Sequence, residues 1–121
     1  MNRLEKLPKI AIPLFDCGTV YLCRTRDEWQ QAHQSLGAEA QLLDRCGAAN
    51  TFRSLTGDRD IYLLGIFDNN VATLAHESAH LVFDICETVG VDVERGRANE
   101  TFCHLLDTIV AFASEYLLTG K

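Results

Sequence analysis

Helical periodicity governs the second half of the chain. Between residues 71 and 89, apolar and small side chains recur every three or four positions, which predicts one amphipathic helix packed on a sheet. The expected packing stripe is Val71, Ala75, Ser78, Val82, Ile85 and Val89. Asn69 or Asn70 can cap the start of this helix, and Gly90 can end it.

A second helix is predicted from about Ala98 to Leu118. Its expected buried face is Phe102, Leu105, Leu106, Ile109, Phe112, Ala113 and Tyr116. With the short segment 91–97 as their connection, the two helices can return alongside each other.

The first half of the chain predicts strands around one helix. Residues 19–24 are rich in β-forming residues. Thr25 followed by Glu28 is a capping-box pattern, and it predicts a helix that ends at Gly37. Residues 41–46 fit either an extension of this helical region or a connection.

Residues 50–55 and 60–67 flank the turn signal Thr56-Gly57-Asp58 and predict a β-hairpin. The run from residue 61 to 67 is apolar on both faces, which is typical of a covered strand. A peptide could add to the second strand if that strand lies at the sheet edge. Its apolarity on both faces argues instead for a central position, with residues 50–55 at the edge.

Length and composition are those of one globular domain spanning residues 1–121. The chain is 47% apolar, contains two prolines and eight glycines, and has no apolar run long enough to span a membrane. The predicted fold class is α+β, with a small mixed sheet, one N-terminal helix and two C-terminal helices. The net charge of −6 argues against binding to nucleic acid or to anionic membranes.

Cysteine usage indicates reduced thiols. The five cysteines are odd in number and form no C-x-x-C pair, so they predict neither a disulfide framework nor a zinc ribbon. Glu5 and Pro8 stand where a signal peptide would begin its apolar region. We therefore expect a cytoplasmic product.

The first C-terminal helix carries His76-Glu77-Ser78-Ala79-His80, an H-E-x-x-H motif. Two histidines at positions i and i+4 share one helical face, so both imidazoles can reach one ion. Glu77 is offset by one residue and can act as a base beside that ion. Solvated histidines are the alternative, but the surrounding sequence is too apolar for an ordinary exposed face.

The candidate third ligand is Glu100, which follows His80 by 20 positions near the start of the second helix. Glu100, Cys103, His104 and Asp107 share one polar face of that helix. This face can look across at His76 and His80 if the two helices lie side by side.

These residues resemble the zincin metallopeptidases, specifically the glutamate-ligand branch typified by thermolysin, in which an Asn-Glu pair follows the motif helix at this separation. The resemblance implies Zn²⁺ held by His76, His80 and Glu100, with Glu77 as the base that polarises the nucleophilic water. His104 stands where those enzymes carry an aspartate that orients the first histidine, so Asp84 or Asp107 is the candidate for that support.

The chain also resembles short H-E-x-x-H proteins encoded in bacteriophage and prophage genomes. Their last helix begins with a motif of the form N-E-x-F/A-x-x-L, which residues 99–105 fit. This resemblance suggests a phage origin, with the host cytoplasm as the compartment, and names no substrate.

Other polar residues have weaker candidate roles. His104 is a candidate catalytic residue: it could be a fourth ligand, but the favoured roles are a transition-state donor and a partner of a ligand. Tyr62 and Arg97 are candidate oxyanion donors. We expect Cys103 and Tyr116 in the core and His33 on the surface.

The leading hypothesis is a minimal zinc metallopeptidase that hydrolyses a peptide or protein substrate, which could be another phage protein. The alternative is a phage structural or interaction protein that keeps the zincin-like fold and its zinc without peptidase activity. Small size favours the alternative, because 121 residues leave little chain for a cleft, and Glu77 favours the enzyme, because a structural zinc needs no base. A helical core with incidental histidines is the third possibility.

Overall fold

A computed structural model describes residues 3–13, 15, 17–39, 44–54, 59–93 and 99–117. A short 3₁₀ helix, Arg3–Lys6, precedes the strands and helices. The strands are β1 (Lys9–Ala11), β2 (Gly18–Cys23), β3 (Gly47–Phe52) and β4 (Asp60–Ile66). The helices are α1 (Arg26–Ser35), α2 (Val71–Val89) and α3 (Asn99–Leu117). The predicted α+β class, with one N-terminal and two C-terminal helices, is confirmed.

The sheet is mixed and has the strand order β1-β2-β4-β3. β2 and β4 are parallel, with Val20 opposite Tyr62, whereas β1 is antiparallel to β2. β3 and β4 are antiparallel, as the predicted hairpin requires, with Ala49 opposite Leu64. β4 is central and β3 is an edge strand, which confirms both expectations.

Some boundaries differ from those expected. β3 begins at Gly47, three residues earlier than predicted, and ends at Phe52. The segments 40–43, 55–58 and 94–98 lie outside the described residues, as does Leu118. The predicted turn and the first half of the 41–46 segment therefore fall outside them.

Two cores sandwich the sheet because successive strand residues point to opposite faces. On one face, strand residues such as Leu22 and Leu64 pack against α2 and α3. On the other face, Cys23 and Leu63 pack with Trp29 and Ala32 of α1. This arrangement explains why β4 is apolar on both sides.

α1 begins at the predicted cap. The Thr25 hydroxyl accepts a hydrogen bond from the Glu28 backbone N–H at 3.0 Å. The Glu28 carboxylate accepts one from the Arg24 N–H at 2.7 Å, one residue earlier than in a standard capping box. The helix gives way to Gly37, whose φ of 74° suits the end of a helix.

α2 has the predicted ends, with Asn70 as its N-cap and Gly90 in the left-handed conformation as its C-cap. The predicted packing stripe is partly wrong, since Val71 is 58% exposed and Ala75 is also exposed. The buried residues are Leu74, Ser78, Leu81, Val82, Ile85 and Cys86. Because α2 packs on α3 as well as on the sheet, its buried arc includes Leu74 and Leu81 and excludes the first-turn valine.

α3 covers the remaining part of the same core. Leu105, Ile109, Ala113 and Leu117 are its buried residues, and all but Leu117 were expected. Phe102, Leu106, Phe112 and Tyr116 are half-buried and pack against the core. Within the described ranges, no helix combines the length and the apolar character that crossing a membrane requires.

Candidate metal centre

α2 presents His76 and His80 together on its exposed face. Their Nε2 atoms lie 3.2 Å apart, and the ring centroids are separated by 4.8 Å with an angle of 79° between the planes. The i, i+4 spacing stacks the two side chains on consecutive turns. The structure therefore brings together the two histidines that the motif predicts.

The separation of the two nitrogens fits a shared zinc ion. Two Zn–N bonds of 2.0–2.1 Å at a tetrahedral angle place their nitrogens about 3.3 Å apart. A hydrogen bond between two neutral imidazoles accounts for the same separation. In either case the Nε2 atoms of His76 and His80 face each other. These two nitrogens could therefore bind one zinc ion without a change in the helix backbone.

Glu77 lies on the side of α2 that approaches the edge strand β3, and it is half-buried. The approach is close because Gly47 has no side chain. A Cβ atom added at Gly47 would lie 2.7 Å from the Thr73 methyl group and 3.0 Å from Cγ of Glu77. This contact holds Glu77 beside Gly47, the first residue of β3.

A shallow pocket of about 350 Å³ opens between β3 and the first turns of α2. Its lining residues are Arg45, Cys46, Gly47, Ala72, Thr73, His76 and Glu77. One proposed ligand and the proposed base therefore face the same open space, where a ligand of modest size can reach both.

The electrostatics of the pocket wall keep Cys46 in its thiol form. The Thr73 hydroxyl donates a hydrogen bond of 2.8 Å to the Asp68 carboxylate, which lowers the pKa of Asp68. The hydrogen bond and the charge of Asp68 in turn raise the pKa of the Cys46 thiol. Asp68 therefore favours the protonated form of the Cys46 thiol, which is the less nucleophilic form.

Asp84 ties the other half of α2 to the edge strand. Its carboxylate accepts a hydrogen bond of 2.9 Å from the Thr51 hydroxyl. Further along, Arg53 and Glu87 form an exposed ion pair at 3.8 Å. The described partner of Asp84 is therefore β3, whereas the sequence offered Asp84 as a possible support for His76.

Glu100 and His104 are exposed on the first two turns of α3. The ring of Phe102 lies 4.8 Å from that of Phe83, so this end of α3 lies beside the turn of α2 that follows His80. Among the residues that the structure describes, no group of three or more His, Cys, Asp or Glu side chains is arranged to hold a metal ion. The third ligand and the role of His104 thus remain predictions.

Other candidate residues lie elsewhere than expected. His33 is buried rather than exposed. Both of its ring nitrogens have partners, since Nδ1 lies 2.8 Å from the Trp29 carbonyl and Nε2 lies 2.9 Å from the Asn50 amide. Cys103 is exposed rather than buried, since it lies on the outer face of α3. Tyr62 is fully buried within the sheet, which removes it from any substrate. Arg97 lies outside the described residues.

The sequence did not single out Arg45, Cys46 and Gly47 as part of the site. They lie about 30 positions before the motif and meet it only because β3 runs along α2. The available signal was the run of small residues from Gly47 to Ala49 just before the predicted edge strand, which permits close approach of a helix. All five cysteines are described and free, as predicted.

Comparisons with protein-family models, with curated proteins and with solved structures found no match.

Proposed function

We propose that this protein is a zinc-dependent metallopeptidase in which His76 and His80 bind the metal, Glu100 is the third ligand and Glu77 is the general base. The observation that carries the proposal is the 3.2 Å separation of the two Nε2 atoms, together with Glu77 facing an open pocket beside them. Zinc at such a site acts as a Lewis acid that lowers the pKa of a coordinated water to about 7.

Glu77 supplies the proton transfers. Its carboxylate is offset by one residue from His76 and lies at the pocket wall. From there it takes a proton from water that enters the pocket, and later delivers that proton to the departing amine. Half-burial between α2 and β3 limits the positions that its side chain can adopt.

The edge strand β3 supplies a binding surface for a peptide. The Phe67 N–H donates to the Cys46 carbonyl at 2.8 Å, so Cys46 and Phe67 form a hydrogen-bonded antiparallel pair. Alternation along the strand then directs the N–H and C=O groups of residues 47, 49 and 51 towards the open edge. An extended peptide that pairs with these groups passes directly beside Glu77.

The metal site is tested first. The full chain is stripped of metal with a chelator and titrated with zinc against a chromophoric competitor. We expect one zinc per chain, and at least a tenfold loss of affinity in His76→Ala and in His80→Ala. Glu100→Gln should weaken binding as well. Glu87 is exposed and lies on α2 with the two histidines, so Glu87→Gln should leave the zinc affinity unchanged.

Hydrolysis is tested with the zinc-loaded protein and a library of quenched fluorescent peptides. Glu77→Gln should abolish cleavage while zinc binding persists, with Glu87→Gln as the control. If zinc binds stoichiometrically and Glu77→Gln has no effect on any cleavage, the protein is instead the zinc-stabilised interaction module, and a phage protein becomes its expected partner. If no zinc binds, both hypotheses are wrong.

A further inference from the structure

Among the described residues that line the pocket, Arg45 is the only cation, and its backbone is held in place. The Arg26 guanidinium donates a hydrogen bond of 2.7 Å to the Arg45 carbonyl while it lies 5.2 Å from the centre of the Phe67 ring. The next carbonyl, that of Cys46, accepts from the Phe67 N–H. The backbone of Arg45 is therefore fixed next to β3, while the residue as a whole is exposed.

The Arg45 guanidinium pairs with no carboxylate among the described residues. Arg53, beyond the opposite end of β3, differs in this respect, because it pairs with Glu87. An arginine offers five N–H donors in a planar arrangement that matches a carboxylate. Arg45 thus keeps its donors available to a ligand in the pocket.

The other groups around the pocket both favour and oppose a small anionic group at the Arg45 end. Gly47 and Ala72 leave space there, and Ala72 and Thr73 lie in the first turn of α2, at the positive end of a helix of 19 residues. Two carboxylates oppose an anionic group: Asp68, which accepts the hydrogen bond of Thr73 at the pocket wall, and Glu77 at the other end. Arg45 is therefore the side chain that would hold a carboxylate in this pocket, at the end away from Glu77.

We propose that Arg45 determines specificity by binding a carboxylate of the peptide, next to the bond that is cleaved. This inference rests on the proposed function. A peptide paired with β3 passes Gly47 and then reaches Arg45, so one of its residues adjacent to the cleaved bond faces the guanidinium. The carboxylate belongs either to an Asp or Glu side chain or to the C-terminus of the peptide.

The test compares peptides that differ only at the residues flanking the cleaved bond. Acetylated and amidated peptides carry Asp, Asn or Lys there, and a further Asn peptide ends in a free carboxylate. An exposed guanidinium–carboxylate pair corresponds to a preference of up to about fivefold. We expect kcat/KM to favour the carboxylate peptides by about this factor, Arg45→Glu to reverse the preference, and Arg53→Glu to leave it unchanged.

A binding readout separates this inference from the peptidase proposal. The amide resonances of Gly47 and Ala72 are followed by NMR as each peptide is added to wild-type protein and to Arg45→Glu. Hydrolysis without any preference overturns the role of Arg45 and leaves the peptidase proposal standing. Carboxylate-dependent shifts that disappear in Arg45→Glu, without hydrolysis, overturn the peptidase proposal and the role of Arg45 in cleavage specificity, and leave Arg45 only as a residue that binds carboxylates. If neither shifts nor hydrolysis occur, both are wrong.

Discussion

Replacing Gly47 with alanine tests whether close contact between β3 and α2 builds the site. The added Cβ would lie 2.7 Å from both the Thr73 methyl group and the Gly65 carbonyl oxygen, and 3.0 Å from Cγ of Glu77. Overpacking of this kind costs about 1–3 kcal/mol. Alanine recovers about 0.4–1 kcal/mol by restricting the unfolded chain, since Gly47 does not have a positive φ. The two ranges leave a net loss between about 0 and 2.6 kcal/mol, and three contacts of 3.0 Å or less, one of them with a backbone oxygen, place the expected loss above about 1 kcal/mol.

The loss is measured by urea unfolding of the full chain, with thermal unfolding as a second probe. For a domain of this length, each kcal/mol corresponds to roughly 3–5 °C in Tm. Because α2 must move away from β3 to admit the methyl group, hydrolysis should fall in Gly47→Ala. Zinc affinity should change less, because His76 and His80 both lie on α2.

Thr73→Ser provides the matched second change. It removes the methyl group that meets the new Cβ but keeps the hydroxyl that binds Asp68. A double-mutant cycle compares the effect of Thr73→Ser on the free energy of unfolding in the Gly47→Ala protein and in the wild type. The effect should be more favourable in the Gly47→Ala protein by at least about 0.5 kcal/mol. Rescue stays partial because the contact with the Gly65 carbonyl remains. Strictly additive effects, or a Gly47→Ala protein as stable as the wild type, would refute the reasoning.

Three further predictions concern groups around the site and in the two cores. Asn50→Ala should lower the free energy of unfolding by about 1–3 kcal/mol in urea titrations, because it leaves the buried Nε2 of His33 without a donor; unchanged stability would contradict this assignment. Asp68→Asn should speed alkylation of Cys46 at pH 8, followed by mass spectrometry, because the carboxylate raises the pKa of that thiol, whereas Asp44→Asn should have a smaller effect. Burial raises the pKa of Tyr62 and of Cys23 to about 12 each. The contribution of these two groups to the free energy of unfolding should therefore be fully present below their unfolded pKa values near 10 and 9, and be lost as the pH rises towards 12. Alkaline unfolding that is no shallower in Tyr62→Phe would count against the role of Tyr62.

Local signals predicted most of the fold because the chain obeys them. The caps Thr25, Asn70 and Gly90 act through hydrogen bonds and backbone conformations that lie within a few residues of the helix ends. The apolar character of both faces of β4 predicted its central position, since a strand covered on two sides needs apolar residues at every position. The motif itself also acts locally, and its two histidines meet as helix geometry requires.

Features that depend on contacts between distant segments could not be predicted. His33 lies one position from the apolar face of α1, and its burial depends on Asn50, 17 residues further along the chain. The exposure of Val71 could not be predicted for the same reason. Periodicity predicts which face of a helix is apolar, but not where along the helix the sheet beneath that face ends. The position of Arg45 in the pocket wall depends on the register between β3 and β4, which local sequence patterns do not predict.

The edge position of β3 connects the fold to the proposed chemistry. A helix over the middle of a sheet faces strands on both sides, and its motif is covered by neighbouring side chains. α2 contacts the outermost strand through Gly47 and Thr51, which leaves one side of the motif open to solvent and next to unpaired backbone groups. On the proposed function, an extended peptide would have both a strand to pair with and Glu77 within reach. The same arrangement answers the objection from size, since the edge of the sheet and one helix form the binding surface without the additional chain that would wall a deep cleft.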